Sequence, residues 1–335
     1  MADLETRKDR RAGRITFTRP QALNALSHEM ALQIDAALRA WRDDPEVAVI
    51  VIDAQGDRAF CAGGDIAALY HAARAGDHEV GRAFFRDEYR MNAAIADYPK
   101  PVVAFMQGFV MGGGVGVGGH ASHRIVGATT QVAMPETGIG MIPDVGGSWL
   151  LAHAPGRAGE YLGLTGARMG PGDAIWAGFA DTYIPEAEWP ALIDRLAGTG
   201  DVAAIQGQPR PAAPLAGMDL SAFAGATVAD IMAALEAMGD EASLKPLRRA
   251  SPLSMAATLE LVRAARKDAS IRDSLAREMR FTARTTESGD FLEGVRAQII
   301  DKDRNPQWHA DASPAHVAAM LASLGHGEIT WEDAK

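Results

Sequence analysis

The chain has 335 residues, of which 47 % are hydrophobic and 23 % charged, a balance typical of a folded protein with a substantial core. Its formal net charge of −10 argues against a nucleic-acid partner and against binding to an anionic membrane surface. The single cysteine, Cys61, excludes an intramolecular disulfide, and no apolar run approaches the roughly 20 residues that a membrane helix needs.

The N-terminal sequence indicates where the protein works. Residues 1–13 (MADLETRKDRRAG) contain no apolar stretch of the kind that a secretory signal requires. They are basic, but they also carry Asp3, Glu5 and Asp9, which a mitochondrial transit peptide would avoid. We therefore expect a cytoplasmic protein.

The first half of the chain alternates strand and helix patterns. Residues 14–18 (RITFT) predict a short strand, and Ser27 is a suitable N-cap for a helix whose apolar stripe contains Met30, Ile34, Leu38 and Trp41. The runs 47–53 (VAVIVID) and 101–108 (PVVAFMQG) predict buried strands of a parallel sheet. Helices that alternate with buried strands indicate an α/β protein.

The composition changes after about residue 190. Residues 198–218 are rich in Gly, Pro and Ala, and they predict a linker or an irregular insertion. The later segments 228–239, 252–267 and 270–286 have helical patterns. We therefore divide the chain into an α/β core (1–197), a linker or insertion (198–227) and a helical C-terminal region (228–335).

One predicted helix, 81–97, carries a carboxylate on its apolar face. At about 100° per residue, Glu88 falls in the middle of the stripe formed by Phe84, Phe85, Met91 and Ile95. A buried carboxylate is costly unless it is paired or lines a polar cavity. Glu88 is therefore either a structural ion-pair or edge residue, or a group that faces a substrate.

Two glycine-rich motifs follow predicted strands. FCAGGDI (60–66) could bring main-chain N–H groups close to a ligand, or it could be an ordinary tight turn. GFVMGGGVGVGGH (108–120) would place free N–H groups at a helix N-terminus, where negative charge is stabilised. It also contains the G-x-G-x-x-G spacing of dinucleotide-binding proteins. The residue 20 positions beyond Gly116 is Glu136, but it follows a proline and opens a Gly-rich loop, which argues against that alternative.

Two carboxylates lie in the loop that follows both motifs. In MPETGIGMIPDVGGS (134–148), Glu136 and Asp144 are eight residues apart among glycines and prolines. Each has a simpler interpretation, since Glu136 could complement a helix dipole and Asp144 could belong to a turn. Their position after both glycine motifs favours a functional role.

Two other potentially reactive groups have simpler explanations. His120 and His123 are three residues apart on what we predict to be a helix, but no third metal ligand has an obvious place, so we expect no metal. Cys61 adjoins the first glycine motif without an evident histidine partner, and we interpret it as a packed thiol.

Together these motifs resemble the crotonase (enoyl-CoA hydratase/isomerase) superfamily from about residue 13 to residue 190. The resemblance implies a spiral of ββα units followed by a helical C-terminal region, and a homo-oligomer of three or six subunits. It also implies an oxyanion hole for a thioester carbonyl, made by the backbone N–H groups of Gly64 and Gly113. Hydratases of this superfamily use a second glutamate two residues beyond the GGG, and this chain has Gly116 there.

Within the superfamily the chain resembles the 3-hydroxyisobutyryl-CoA hydrolase branch over nearly its whole length. Matching segments are FCAGGDI, FFRDEY (84–89), MGGGVG (111–116), MPET (134–137), PDVGG (143–147) and DFLEGVRAQIIDKD (290–303). The resemblance implies hydrolysis of a short 3-hydroxyacyl-CoA thioester, as in the conversion of 3-hydroxyisobutyryl-CoA to 3-hydroxyisobutyrate and CoA in valine catabolism. The resemblance also implies that the reaction needs no metal or other cofactor. Coenzyme A is part of the substrate.

The resemblance also assigns roles to individual residues. Glu136 would act as a general base or as a nucleophile that forms a mixed anhydride, and Asp144 would orient the 3-hydroxyl or relay a proton to the thiolate. The expected substrate-binding residues are Glu88, Ala62, Gly63 and Asp65. Two alternatives stay open, namely a hydratase or isomerase of the same fold and a non-catalytic acyl-CoA-binding protein.

Overall fold

The strands of the protein form two sheets. We describe residues 2–331 of a computed structural model. The strands are β1 (Leu4–Asp9), β2 (Ala12–Phe17), β3 (Val49–Ala54), β4 (Ala59–Cys61), β5 (Val102–Met106), β6 (Phe109–Met111), β7 (His123–Val126), β8 (Gln131–Ala133) and β9 (Thr182–Tyr183).

The larger sheet has the strand order β1-β2-β3-β5-β7-β9. Its first two strands form an antiparallel hairpin, and each later pairing is parallel, with Ile15 opposite Ile52 and Ile52 opposite Ala104. The β-branched run of β3 is buried on both faces, as the sequence predicted for a parallel strand.

The smaller sheet, β4-β6-β8, is also parallel, and it explains how the chain winds. Consecutive strands go to different sheets: β3, β5 and β7 to the larger sheet, and β4, β6 and β8 to the smaller one. A helical segment follows each such pair before the chain returns to the larger sheet. This is the predicted spiral of ββα units, which is therefore confirmed.

The helices up to residue 199 lie around these sheets. The predicted N-cap is confirmed, since Oγ of Ser27 accepts a hydrogen bond from the Met30 N–H at 3.2 Å. These helices are α1 (His28–Arg42), α2 (Ile66–Arg74), α3 (Glu79–Ala96), α4 (Gly113–Gly118), α5 (Gly147–His153), α6 (Ala158–Thr165), α7 (Pro171–Trp176) and α8 (Trp189–Thr199).

After residue 227 the chain is mainly helical, as its pattern indicated. Between residues 200 and 227 the chain is largely irregular and contains three short 3-10 turns. The later helices are α9 (Val228–Met238), α10 (Glu241–Leu247), α11 (Pro252–Ala265), α12 (Ile271–Thr282), α13 (Thr285–Ser288), α14 (Phe291–Val295), which continues into a π-helical turn (Arg296–Ile300), and α15 (Pro314–Met320).

The C-terminal helices pack directly on the α/β part. Helix α11 lies against α5 and α6, and α12 lies against α3. The main hydrophobic core accordingly contains Ile15 and Ile52 from the sheet together with Leu275 and Met279 from α12. The division at residues 197 and 227 stays a prediction. Within residues 2–331 none of the helices combines the length and apolar character needed to cross a membrane.

The structure differs from the sequence prediction at two places. The charged strand β1 was not predicted, because at the sheet edge only one of its six residues is buried and no apolar run marks it. His123 does not lie on a helix with His120, because α4 ends at Gly118 and His123 begins β7. The helical spacing that suggested a histidine pair was therefore wrong.

Candidate active site

One pocket collects seven of the eight predicted site residues. It lies where the loop after β4, the start of α4, the loop after β8 and the middle of α3 meet, and Phe291 of α14 lines another side. The predicted residues that line it are Ala62, Gly63, Gly64, Glu88, Gly113, Glu136 and Asp144. Residues far apart in the sequence therefore share one cavity.

Asp65 is not among the residues that line this pocket. Its carboxylate lies 3.3 Å from Nη1 of Arg19, with which it forms an ion pair. The neighbouring main chain is held by hydrogen bonds to Leu26, which accepts from the Asp65 N–H and donates to the Gly63 carbonyl. A substrate contact by Asp65 stays a prediction.

Gly64 and Gly113 lie side by side at the pocket. An ideal Cβ placed on Gly113 would be 3.4 Å from the backbone nitrogen of Gly64. Within residues 2–331 neither backbone N–H has a hydrogen-bond acceptor. Two adjacent, unpaired donors of this kind can stabilise negative charge on a ligand oxygen.

Backbone conformation and crowding explain the glycines at the start of α4. Gly112 has φ +46°, a left-handed value that L side chains rarely adopt, and a Cβ there would lie 2.9 Å from Oε1 of Glu136. A Cβ on Gly113 would lie 2.8 Å from Oε1 of Glu88. The two glutamates therefore approach the glycine backbone so closely that no side chain fits between them.

Glu88 and Glu136 are buried without full hydrogen bonding. Among the described residues, Oε1 of Glu88 and Oε2 of Glu136 have no partner. Burial raises the pKa of both carboxyl groups well above its usual range, and the charge of Asp144 raises both further. Helix α3 thus presents Glu88 to the pocket and not to a structural ion pair.

Asp144 is the third buried carboxylate, and it has a strong donor. The Tyr89 hydroxyl donates to Oδ2 of Asp144 at 2.8 Å and lies 3.3 Å from Oγ1 of Thr282 on α12. Burial raises the pKa of Asp144 to about 6, while the hydrogen bond from Tyr89 opposes that rise. Asp144 therefore ionises more readily than its depth alone would allow.

The turn that carries Asp144 is strained and is held from both sides. Val145 has φ +53°, which is unusual for a β-branched residue. Because a carbonyl oxygen can only accept, Nε2 of His120 donates to the Val145 carbonyl at 2.7 Å, and burial lowers the pKa of His120 to about 4. Neutral His120 is thus a structural donor.

Helix α12 holds the other side of the turn. Glu278 accepts hydrogen bonds from the N–H groups of Gly146 and Ser148, at 2.8 and 3.0 Å, and from the Ser148 hydroxyl. These groups begin α5, so Glu278 caps that helix from a distant part of the chain. Burial raises the pKa of Glu278 to about 8.

Gly116, where hydratases carry their second glutamate, has no room for a side chain. A Cβ there would lie 2.8 Å from Nδ2 of Asn92 and 2.8 Å from Cβ of Val145. Asn92 is fully buried one helical turn after Glu88 on α3, and its amide has no partner among the described residues. Position 116 therefore has no room for a second glutamate as these neighbours are placed.

The sequence analysis missed Tyr89 and Glu278. Tyr89 belongs to the FFRDEY segment, but its contact with Asp144 spans 55 positions, which no local pattern reveals. Glu278 shares the buried face of α12 with Leu275, Met279 and Thr282, the same signal that identified Glu88 on α3. Cys61 is a buried thiol whose pKa burial raises to about 12.

Comparison with known proteins gives one family over most of the chain. The family model described as enoyl-CoA hydratase/isomerase matches residues 12–323. The mitochondrial 3-hydroxyisobutyryl-CoA hydrolase of Rattus norvegicus is 38 % identical, with 96 % of this chain and 89 % of that protein covered. The probable 3-hydroxyisobutyryl-CoA hydrolase 3 of Arabidopsis thaliana is 34 % identical, with 96 % and 91 % covered.

Two solved structures with the same fold are described by activities other than hydrolysis. A crystal structure described as an enoyl-CoA hydratase from Rhodobacter sphaeroides 2.4.1 is 56 % identical, with a TM-score of 0.94 and coverage of 98 % of this chain and 100 % of that one. One described as a carnitinyl-CoA dehydratase from Mycobacterium thermoresistibile is 41 % identical, with a TM-score of 0.93 and 99 % of both chains covered.

Proposed function

The chain belongs to the enoyl-CoA hydratase/isomerase family, and on that premise we propose that it hydrolyses a short 3-hydroxyacyl-CoA thioester, with 3-hydroxyisobutyryl-CoA as the preferred substrate. The observation that carries the proposal is the placement of Glu136 and Asp144 around one pocket with Gly64 and Gly113, whose N–H groups have no acceptor in the described part of the chain. The relatives named as 3-hydroxyisobutyryl-CoA hydrolases support the choice of acyl group.

The two glycine N–H groups would bind the thioester carbonyl oxygen. When a nucleophile attacks the carbonyl carbon, negative charge develops on that oxygen. Backbone donors that are already in place stabilise this charge without reorganisation. Because the oxyanion hole is built from main chain, its residues matter through their small size and not through a functional group.

Glu136 would supply the base or the nucleophile. As a base it takes a proton from the attacking water, and as a nucleophile it forms a mixed anhydride that water then cleaves. Both routes require its ionised form. Burial and the charge of Asp144 raise the pKa of Glu136, so its carboxyl loses the proton only at higher pH and its carboxylate is a stronger base. The rate of hydrolysis should therefore rise with pH.

Asp144 would orient the 3-hydroxyl or relay a proton to the departing thiolate. Its hydrogen bond with Tyr89 occupies one oxygen and leaves the other for the substrate. Glu88, whose Oε1 has no partner within residues 2–331, would contribute a further polar contact beside Gly113. We therefore propose that the residues of this site carry out hydrolysis without a metal or redox cofactor.

The names of the two solved structures make hydration the competing candidate. A hydratase must handle the attacking water and the α-proton with two coordinated groups. In this chain the position of the second glutamate is Gly116, and Asn92 and Val145 fill the space that a side chain would need. This crowding favours hydrolysis.

Thiol release tests the proposal. We expect the purified protein to release free CoA from 3-hydroxyisobutyryl-CoA faster than from isobutyryl-CoA, and to show no hydration of crotonyl-CoA. Glu136→Gln should keep the fold and lower kcat by roughly 10²–10⁴, the usual effect of losing an acid–base group. The exposed Glu260→Gln on α11 is the matched control and should leave kcat unchanged.

Three results would contradict the proposal. Robust hydration of crotonyl-CoA by the unmodified protein would identify a hydratase instead. Tight CoA binding with no thiol release from any acyl-CoA would identify a non-catalytic binding protein. A Glu136→Gln variant with kcat within about threefold of the wild type would remove Glu136 from the chemistry.

A further inference from the structure

Three buried carboxylates surround the pocket, but they are not equally supported by hydrogen bonds. Oxygens of Glu88 and Glu136 lack partners among the described residues, whereas Asp144 accepts a hydrogen bond from the Tyr89 hydroxyl at 2.8 Å. Tyr89 is completely buried on α3, immediately after Glu88. This asymmetry distinguishes Asp144 from its two neighbours.

We propose that Tyr89 is a positioning residue for Asp144: its hydroxyl donates to one carboxylate oxygen, which stabilises the anion, and directs the other oxygen to the pocket. The role of Asp144 in turnover rests on the proposed function, whereas the contact between Tyr89 and Asp144 does not.

Tyr89 is suited to be a permanent donor. Burial and the charges of Asp144 and Glu278 raise the pKa of its hydroxyl well above its usual value, so the proton stays in place at any working pH. Thr282 of α12 lies 3.3 Å from the same oxygen, and its hydroxyl also lies 3.4 Å from the Met279 carbonyl, which can only accept a hydrogen bond. The hydrogen bond from Tyr89 to Asp144 thus has a fixed direction.

The other ionisable groups around Asp144 oppose its ionisation or stay neutral. Glu88 of α3, Glu136 of the loop after β8 and Glu278 of α12 are acidic, and His120 is kept neutral by burial. None of these groups supplies a positive charge. The hydroxyl of Tyr89 is therefore the side-chain contact on Asp144 that favours its anion.

The variant Tyr89→Phe removes the hydroxyl and keeps the ring. Hydrogen bonds to charged groups contribute enough to shift an acid by a unit or more, so we expect the titration midpoint of Asp144 to rise by about one pH unit. The measurement is carboxyl ¹³C NMR of the full-length protein, with the Asp144 signal assigned by its absence in Asp144→Asn. Because Asp144 has a pKa of about 6, a rise of about one unit should lower its ionised fraction at pH 6 roughly fivefold.

Tyr98→Phe is the matched control. It also removes a tyrosine hydroxyl that donates a 2.8 Å hydrogen bond, here to the Leu38 carbonyl, but it lies outside the pocket. A structural loss alone would lower the stability of both variants, whereas only Tyr89→Phe should change the Asp144 titration. Thr282→Val should shift the midpoint in the same direction by a smaller amount.

An Asp144 midpoint in Tyr89→Phe within about 0.3 units of the wild type would overturn the proposal, because hydrogen bonds of this class produce larger shifts. If Tyr89→Phe does not fold, the Asp144 titration in Thr282→Val tests the proposal instead. An unchanged Asp144 midpoint in that variant overturns the proposal. The NMR titration needs no turnover. Absence of thiol release together with a normal midpoint shift would therefore refute the proposed function and leave the role of Tyr89 intact.

Discussion

Gly113 shows how a site made of main chain depends on the absence of a side chain. A single methyl group there would lie 2.8 Å from Oε1 of Glu88 and 3.4 Å from the nitrogen of Gly64. Gly113→Ala should therefore push Glu88 aside and crowd the carbonyl site. Because losing one oxyanion donor costs about 10²–10³ in kcat, we expect a loss of roughly 10² in thiol release.

Gly138→Ala is the control for this substitution. Gly138 lies in the 3-10 turn Glu136–Ile139 beside the pocket, and a Cβ there would meet nothing within 4 Å. Its activity should stay within about twofold of the wild type. If Gly113→Ala is folded and fully active, the oxyanion role of Gly113 is wrong.

Burial of Glu136 makes the stability of the fold depend on pH. The pKa of Glu136 is raised above its ordinary value of 4.5, so over the interval above 4.5 the folded chain retains a proton that the unfolded chain has lost. The stabilising contribution is complete below pH 4.5 and is lost as pH rises toward the folded pKa. Glutamine does not ionise, so the free energy of unfolding of Glu136→Gln should not decrease with pH for this reason.

Urea unfolding at several pH values measures the effect. The free energy of unfolding of Glu136→Gln minus that of the wild type should grow from pH 5 to pH 8, by at most about 1.4 kcal/mol per pH unit. The same variant loses activity, so stability and function should change in opposite directions. A difference that is constant across this range would mean that Glu136 ionises normally in the folded protein.

The carboxylates also show what sequence alone could predict at the residue scale. Glu88 was identified because it interrupts an apolar helical stripe, and Glu136 and Asp144 because of their motifs. Tyr89 and Glu278 act through contacts that span 55 and 132 positions. Which hydroxyl reaches which carboxylate depends on how α3 and α12 cross, and no local pattern encodes that.

At the scale of elements, α3, α4 and the Asp144 turn pack too closely to accept a second glutamate. Gly116→Glu would place a Cβ 2.8 Å from Cβ of Val145, which is already strained, and would bury a charge. Overpacking alone typically costs about 1–3 kcal/mol. We therefore expect a lower melting temperature and impaired thiol release, with at most weak hydration of crotonyl-CoA.

Gly217→Glu, where a Cβ would have open space, controls for the added charge and should melt like the wild type. Efficient hydration by a stable Gly116→Glu protein would contradict this view, because it would mean that residue 116 alone separates the two reactions.

The elements themselves were predictable where burial leaves a pattern. The apolar strands β3 and β5 and the amphipathic helices α1, α3, α11 and α12 were found at nearly their observed positions. Strands β4, β6 and β8 have only three residues each, too few for a period to be recognised. Their pairing follows from the winding of the chain, which the family resemblance supplied.

At the scale of the whole molecule, the C-terminal helices complete the core around the pocket. Leu275 and Met279 of α12 belong to the same core as the main sheet, and Thr282 touches Tyr89. A fragment of residues 1–227 should therefore unfold without a cooperative transition and bind a hydrophobic dye, although it contains Gly64, Gly113, Glu136 and Asp144.

Calorimetry measures whether the fragment melts cooperatively, and near-UV circular dichroism measures whether its aromatic side chains are packed. The full-length chain is the control. A fragment that melts cooperatively with native-like aromatic signals would show that the α/β part folds alone. The predicted assembly of three or six subunits and the cytoplasmic location stay predictions, and light scattering in solution tests the first.

The hydrogen bonds by which Glu278 holds the Asp144 turn also set an order of events during translation. The ribosome makes every proposed catalytic residue early, but the Gly146 N–H meets its acceptor only after 132 further positions have been added. A nascent chain therefore contains the proposed catalytic residues long before they can take up their positions in the pocket. Premature stop codons far downstream of Asp144 should yield inert products, and the proposed thioesterase activity should begin only when synthesis is nearly complete.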